Sequence, residues 1–133
     1  MDEIEEHLKK PYWIIDILPK QVPNLSPGQY SSVEQYFLKD HSMKQKKLNI
    51  LLKLNCYYDI LVQWEGGQEK NPTPEKLKSM VAKKYLNVLI GNSLIVVDHT
   101  DTYMTVYHAD DELIALIRQL AVAEGLFVWK GEE

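Results

Sequence analysis

Cysteine is nearly absent: Cys56 stands alone in 133 residues, so no internal disulfide can form. Following an apolar helical stretch, it reads as a buried thiol, which suits a reducing compartment. Long apolar runs are missing as well. Stretches such as Leu94 to Val97 and Ile50 to Leu52 fall far short of the ~20 residues that span a bilayer, so no membrane partner is expected. A basic leader is also lacking, since Met1-Asp2-Glu3-Ile4-Glu5-Glu6 is acidic where a secretory signal carries positive charge ahead of an apolar segment. These absences together predict a cytoplasmic protein.

Positive charge is not in excess. The net charge of -4 argues against a general nucleic-acid partner, because sequence-independent affinity for phosphate comes from clustered Lys and Arg. Lys39, Lys44, Lys46, Lys47 and Lys53 form a local exception, but no aromatic residues interleave them, and they read as a solvated helix face rather than a phosphate site. Catalytic signatures are missing: there is no Gly-x-Ser-x-Gly, no His-Glu-x-x-His, no dinucleotide fingerprint and no zinc spacing, so neither a cofactor nor a metal is expected. Gly66-Gly67 does not make a phosphate loop, because the next helix starts six residues too late. Cys56 has no visible base or electropositive setting and reads as structural.

What is present is an ordinary globular composition. With 45% hydrophobic and 26% charged residues, the chain is expected to fold alone as one domain over 1-133. Acids then lysines over 2 to 10 predict a short helix, ended by Pro11. Tyr12 to Leu18 is apolar at nearly every position and predicts a strand covered on both faces. A connection rich in proline (Pro19, Pro23, Pro27) leads to Ser31-Ser32-Val33-Glu34 and Ser42-Met43-Lys44-Gln45, two capping-box patterns that predict helices over 32 to 39 and 43 to 55. Tyr57 to Trp64 alternates as a strand ended at Glu65-Gly66-Gly67-Gln68, and Thr73-Pro74-Glu75 starts a helix with Leu77, Met80, Val81 and Lys84 on its stripe. Strands over 86 to 90, 94 to 98 and 102 to 107 read as a meander, Asp110 caps a last helix, Gly125 stops it, and Leu126 to Trp129 is a final strand.

The strand, helix, strand, helix, strand order predicts an α+β fold with one mixed sheet of about five or six strands, parallel in its N-terminal part and antiparallel in its C-terminal meander. Two places could carry chemistry. Asp98, His99 and Asp101 put two carboxylates and an imidazole on one hairpin tip, a set suited to acid/base work or a metal, although Asp and Thr are also what turns recruit. His99 and His108 cannot share a ligand if the hairpin closes around 99 to 101, while His7 and His41 read as surface histidines. The second place is the rim beyond the carboxyl ends of parallel strands: Lys20 and Gln21, then Trp64 and Glu65, then Asn92.

Asp101-Thr102-Tyr103-Met104-Thr105-Val106-Tyr107, Glu124-Gly125-Leu126-Phe127-Val128-Trp129 and Pro11-Tyr12-Trp13-Ile14-Ile15-Asp16 resemble small bacterial cytosolic proteins with no assigned activity. The resemblance implies a bacterial, cytosolic product and carries over no functional residue. The sequence therefore favours a non-catalytic binding or protein-interaction module, with a small enzyme using the 98-101 hairpin or the rim as the alternative. Eight tyrosines and three tryptophans supply amphipathic surface for a partner, and a homodimer through an open sheet edge is one such partner.

Overall fold

The alternation of apolar and polar residues in short segments, broken by Gly, Asn and Asp, builds seven strands rather than the five or six expected. The structure, a computed structural model, describes residues 3-25, 28-40 and 42-131. The readings made for Asp2, Pro27 and His41 lie outside the described residues. In chain order the elements are α1 (Glu3–His7), β1 (Tyr12–Asp16), α2 (Tyr30–Lys39), α3 (Ser42–Tyr57), β2 (Leu61–Trp64), β3 (Gly67–Lys70), α4 (Pro74–Lys83), β4 (Tyr85–Ile90), β5 (Ser93–Asp98), β6 (Met104–Tyr107), α5 (Asp111–Ala123) and β7 (Phe127–Lys130). The strands form one sheet in the order β3-β2-β4-β5-β6-β1-β7.

Every neighbouring pair is antiparallel, which overturns the expected parallel N-terminal part. The reason is where the chain lands after α2 and α3. A long helical connection makes two parallel strands neighbours only when it returns beside the strand it left. Here it returns at β2, with β4, β5 and β6 between β2 and β1, and both sides of β1 are taken by β6 and β7. The strand count was underestimated because Gly67-Gln68-Glu69-Lys70 carries no apolar side chain for a periodicity to register. It pairs with β2 because Gly66, at φ 99°, reverses the chain after Trp64 and Glu65. Asn71 then closes the ribbon: its Oδ1 accepts from Ile60 N at 2.9 Å, and its own N–H donates to the Ile60 carbonyl at 2.8 Å.

Helices α3, α4 and α5 pack on one face of the sheet. Met43, Leu48, Ile50, Leu51 and Leu54 of α3, Leu77, Met80 and Val81 of α4, and Leu113 and Ile117 of α5 meet Ile15, Val62, Leu86, Val88, Ile95, Val97, Met104 and Val106 from the strands. Each fully buried aliphatic side chain stabilises the fold by about 1.5–3 kcal/mol. Two helix starts follow the sequence: Thr73 Oγ1 accepts from Lys76 N at 3.3 Å, and Asp110 Oδ1 from Leu113 N at 2.8 Å. Gly125, at φ 74°, ends α5 as expected. The two serine boxes do not cap: α2 begins at Tyr30 behind Gln29, and Asp40 Oδ1 accepts from Ser42 N. α3 also runs on through Tyr57, which is 69% exposed, so β2 starts four residues later than expected. Cys56 is exposed, not buried, because it lies on the outer face of α3 with Lys53 and Tyr57, while Leu54 takes the inner face. Lys84 ends up outside the α4 stripe, with its ammonium over the Trp64 ring at 5.9 Å.

Candidate functional site: an aromatic cavity on the other face of the sheet

Side chains alternate across a strand, so the residues between those that meet the helices point to the opposite face. On β1 these are Tyr12, Ile14 and Asp16; the ladders place Tyr107 beside Tyr12, and Thr105 and Trp129 on either side of Ile14. α1 lies against β5, Leu8 follows it, and the 21-24 and 28-32 segments rise on the far side. Between them is a cavity of about 900 Å³. Small-molecule sites typically measure ~300–1,000 Å³ and are walled by aromatic side chains with a few placed polar groups.

Five aromatic residues, Tyr12, Tyr30, Tyr103, Tyr107 and Trp129, stand in the walls. The rings of Tyr12 and Tyr107 lie 5.6 Å apart at 44°. Trp129 donates its indole N–H to the Leu18 carbonyl at 3.1 Å, which fixes the ring while leaving its faces free of polar work. Tyr30 and Tyr103 stand at the end where β1 stops, and Tyr30 donates its hydroxyl to Glu34 Oε2 at 3.2 Å. Burial above all, then the neighbouring Glu34 carboxylate, pushes the Tyr30 phenol up to about 12. Burial and the carboxylates of Asp101, Glu34 and Asp16 likewise raise Tyr103. No lysine, arginine or histidine lines the cavity among the described residues.

Asp16 is the one carboxylate in the wall among the described residues, and it is only 6% exposed. Its Oδ1 accepts from Ile17 N at 2.7 Å and from Thr102 Oγ1 at 3.3 Å, while Oδ2 has no hydrogen-bond partner among the described residues. Burial raises its pKa; the two hydrogen bonds work against that, Glu34 adds to it, and Lys47 opposes it.

The residues singled out from the sequence do not meet in one place. Gln21 lines the cavity, and Lys20 beside it is exposed. Trp64 and Glu65 sit at the β2–β3 turn, which four inter-strand steps of ~4.8 Å place about 19 Å from β1. Asn92 lies at the opposite end of the strands, in the turn between the central β4 and β5, where its carbonyl accepts from His7 Nε2 at 2.8 Å and His108 Nδ1 at 3.0 Å. The rim therefore exists as separate loops, because the parallel strands that define such a rim are not there. His7 is buried against His108, their rings 6.4 Å apart, so it is not the surface histidine expected.

At the 98-101 tip, Asp98 Oδ1 accepts from the Thr100 amide at 3.0 Å and its hydroxyl at 2.8 Å. Burial acts to raise the Asp98 carboxyl, but these two bonds and the charges of His99 and Lys47 hold it below its usual range. His99 Nδ1 is 3.7 Å from Asp98 Oδ1, and Asp101 is raised by burial and by Asp98. Beneath the tip, Lys47 is 2% exposed and donates from Nζ to the carbonyls of Asp98, at 2.8 Å, and Asp101. Burial lowers its pKa to about 8 against the pull of Asp101 and Asp98. Lys47 thus ties the hairpin to α3, and Lys46 donates to the Glu124 carbonyl, so two members of the lysine cluster face the protein rather than solvent.

Among the described residues no group of three His, Cys, Asp or Glu could hold a metal ion, and no helix is long and apolar enough to cross a membrane. The sheet edges are blunted: the Val128 carbonyl of β7 accepts from Arg118 at 2.9 Å, and β3 is four residues long with Glu69 paired to Lys76 at 3.2 Å. Comparison with known proteins gives no significant match to a family model, a curated protein or a solved structure.

The cavity was the feature that sequence reasoning missed. Its signal was present in the period-two spacing of Tyr12, Ile14 and Asp16 and of Tyr103, Thr105 and Tyr107. What hid it was the apolar character of β1 at nearly every position, which reads as burial on both sides.

Proposed function

We propose that this protein is a non-catalytic binding module that takes up a small organic molecule in the cavity over β1, β6 and β7. The observation that carries this reading is the hollow of about 900 Å³ walled by Tyr12, Tyr30, Tyr103, Tyr107 and Trp129 on the face the main helices leave uncovered. A folding sheet gains by covering such rings, and leaving five around a void costs dispersion contacts that a ligand restores. A cytoplasmic location fits this reading, since a single exposed thiol such as Cys56 keeps best in a reducing compartment. The test is a thermal-shift and protein-observed NMR screen of aromatic and aliphatic fragments. Hits are expected to move the indole signal of Trp129, and Ser32→Trp, on the exposed first turn of α2, is expected to abolish them. A broad library that moves no cavity residue sinks the reading.

A second reading, an acid/base or metal-assisted enzyme at the hairpin tip, draws on the Asp98–His99 carboxylate–imidazole pair. It predicts that hydrolase activity measured with added divalent metals falls when His99 and Asp101 are replaced by alanine. Activity that is absent or unchanged removes it.

A further inference from the structure

The cavity has two chemically different ends. Leu8, Tyr12 and Tyr107 form an apolar end, and Asp16, Tyr103 and Tyr30, with Glu34 behind Tyr30, form an acidic one. Tyr12 and Asp16 are four residues apart on one strand, so the ends are separated by about 13 Å at ~3.3 Å per residue. At the acidic end sits a carboxylate more than nine-tenths buried, with one oxygen satisfied by the protein and the other lacking a partner among the described residues. Oδ2 is not among the buried polar atoms that lack a partner, so it is reached from the cavity, and a ligand that brings a positively charged donor can form a charge-assisted hydrogen bond there.

We propose that the ligand is an organic ammonium ion with a flat apolar body, its charged head on Asp16 Oδ2 and its body against Tyr12, Tyr107 and Trp129. The assignment rests on the cavity being a binding site, and it specifies which molecules enter. Tyrosine and tryptophan faces attract cations, and the attraction grows where water is excluded. Anions are disfavoured because none of the described lining residues is basic and because Asp16 and Glu34 both set a negative potential there. Lys47, whose charge reaches Asp16, does not line the cavity and is occupied by the carbonyls of Asp98 and Asp101. Among the described lining residues a phosphate or carboxylate ligand would meet an acid and no cation.

Three probes of one shape separate the charge classes: tryptamine, tryptophol and indole-3-acetate, each titrated by calorimetry into the full chain at pH 7. Tryptamine is expected to bind about 10-fold tighter than tryptophol, with indole-3-acetate weakest, as a partly desolvated ion pair with cation–π support requires. In Asp16→Asn, which keeps an oxygen for Ile17 N and Thr102 Oγ1, the preference should shrink to within about 2-fold. Glu34→Gln, on a helix with no buried residues, should weaken tryptamine by about 2-fold and leave tryptophol unchanged. Equal or tighter binding of tryptophol or indole-3-acetate overturns the ammonium assignment while leaving the cavity as a binding site. Equal losses for all probes in Glu34→Gln also overturn it. Failure of all three probes does the same, and the fragment screen then decides whether the cavity binds anything.

Discussion

The two faces of the sheet are built from the same strands yet are finished differently. The face toward α3, α4 and α5 is closed by aliphatic side chains that interlock, with Leu54, Leu77, Val88, Ile95 and Ile117 fully buried. The opposite face carries the larger and more polar residues of the same strands, Tyr12, Asp16, Thr105, Tyr107 and Trp129, and over the cavity it is roofed, among the described residues, by α1, the segment before α2 and the first turn of α2. One face has room for nothing but itself; the other keeps a void with a carboxylate in its wall. The difference separates the part of the molecule that pays for folding from the part available for recognition.

Four substitutions sharpen that contrast. Leu54→Ala, at the centre of the helix-covered face, should cost about 2–5 kcal/mol in urea denaturation while leaving the relative affinities of the three indole probes unchanged. Lys47→Met should cost about 1–3 kcal/mol, since it leaves the Asp98 and Asp101 carbonyls without their donor. Lys47 also sets a pH signature. Its pKa falls from 10.5 to about 8 on folding, so the unfolded chain binds the extra proton and stability should rise between about pH 8 and 10.5. That rise, followed by denaturation midpoints, should be absent in Lys47→Met.

Tyr107→Ala belongs to the open face. Its ring is half-buried, so the loss should be about 1 kcal/mol, at the low end for an aromatic residue, while probe binding falls below detection. Asp16→Asn should have the smallest effect and the opposite sign. Because the Asp16 carboxyl is raised in the folded state, the native protein holds its proton longer, and wild-type stability drops as pH climbs from the ordinary carboxylate value through the raised one. The asparagine variant, which does not ionise, should therefore melt slightly above wild type at pH 7, with the gap closing under acid. A variant that melts well below wild type at pH 7 would mean that Asp16 serves the fold rather than a ligand.

Most elements were legible in the sequence because their signals are local. Thr73 before Pro74, Asp110 before an apolar helical run and Gly125 after one each act through neighbouring backbone groups, and each appears where it was expected. Strand order was not legible, because it is decided by which distant segments meet. Nothing near Tyr12 in the chain says that its neighbours are Tyr107 and Gly131. The cavity depends on that meeting, so it was hidden along with the order. The hairpin tip is the converse case: its composition resembled a reactive cluster, but Asp98 is engaged by Thr100 and the backbone is engaged by Lys47, a residue fifty positions away in the chain.

The place of β1 has a consequence for biogenesis. It is made well before both of its neighbours, Met104–Tyr107 and Phe127–Lys130. Until those segments emerge, the Tyr-Trp-Ile-Ile stretch lacks its sheet partners and is the kind of apolar segment that aggregates when it waits too long. Closure of the sheet around it waits for Phe127–Lys130, and a nascent chain arrested before Phe127 would expose it.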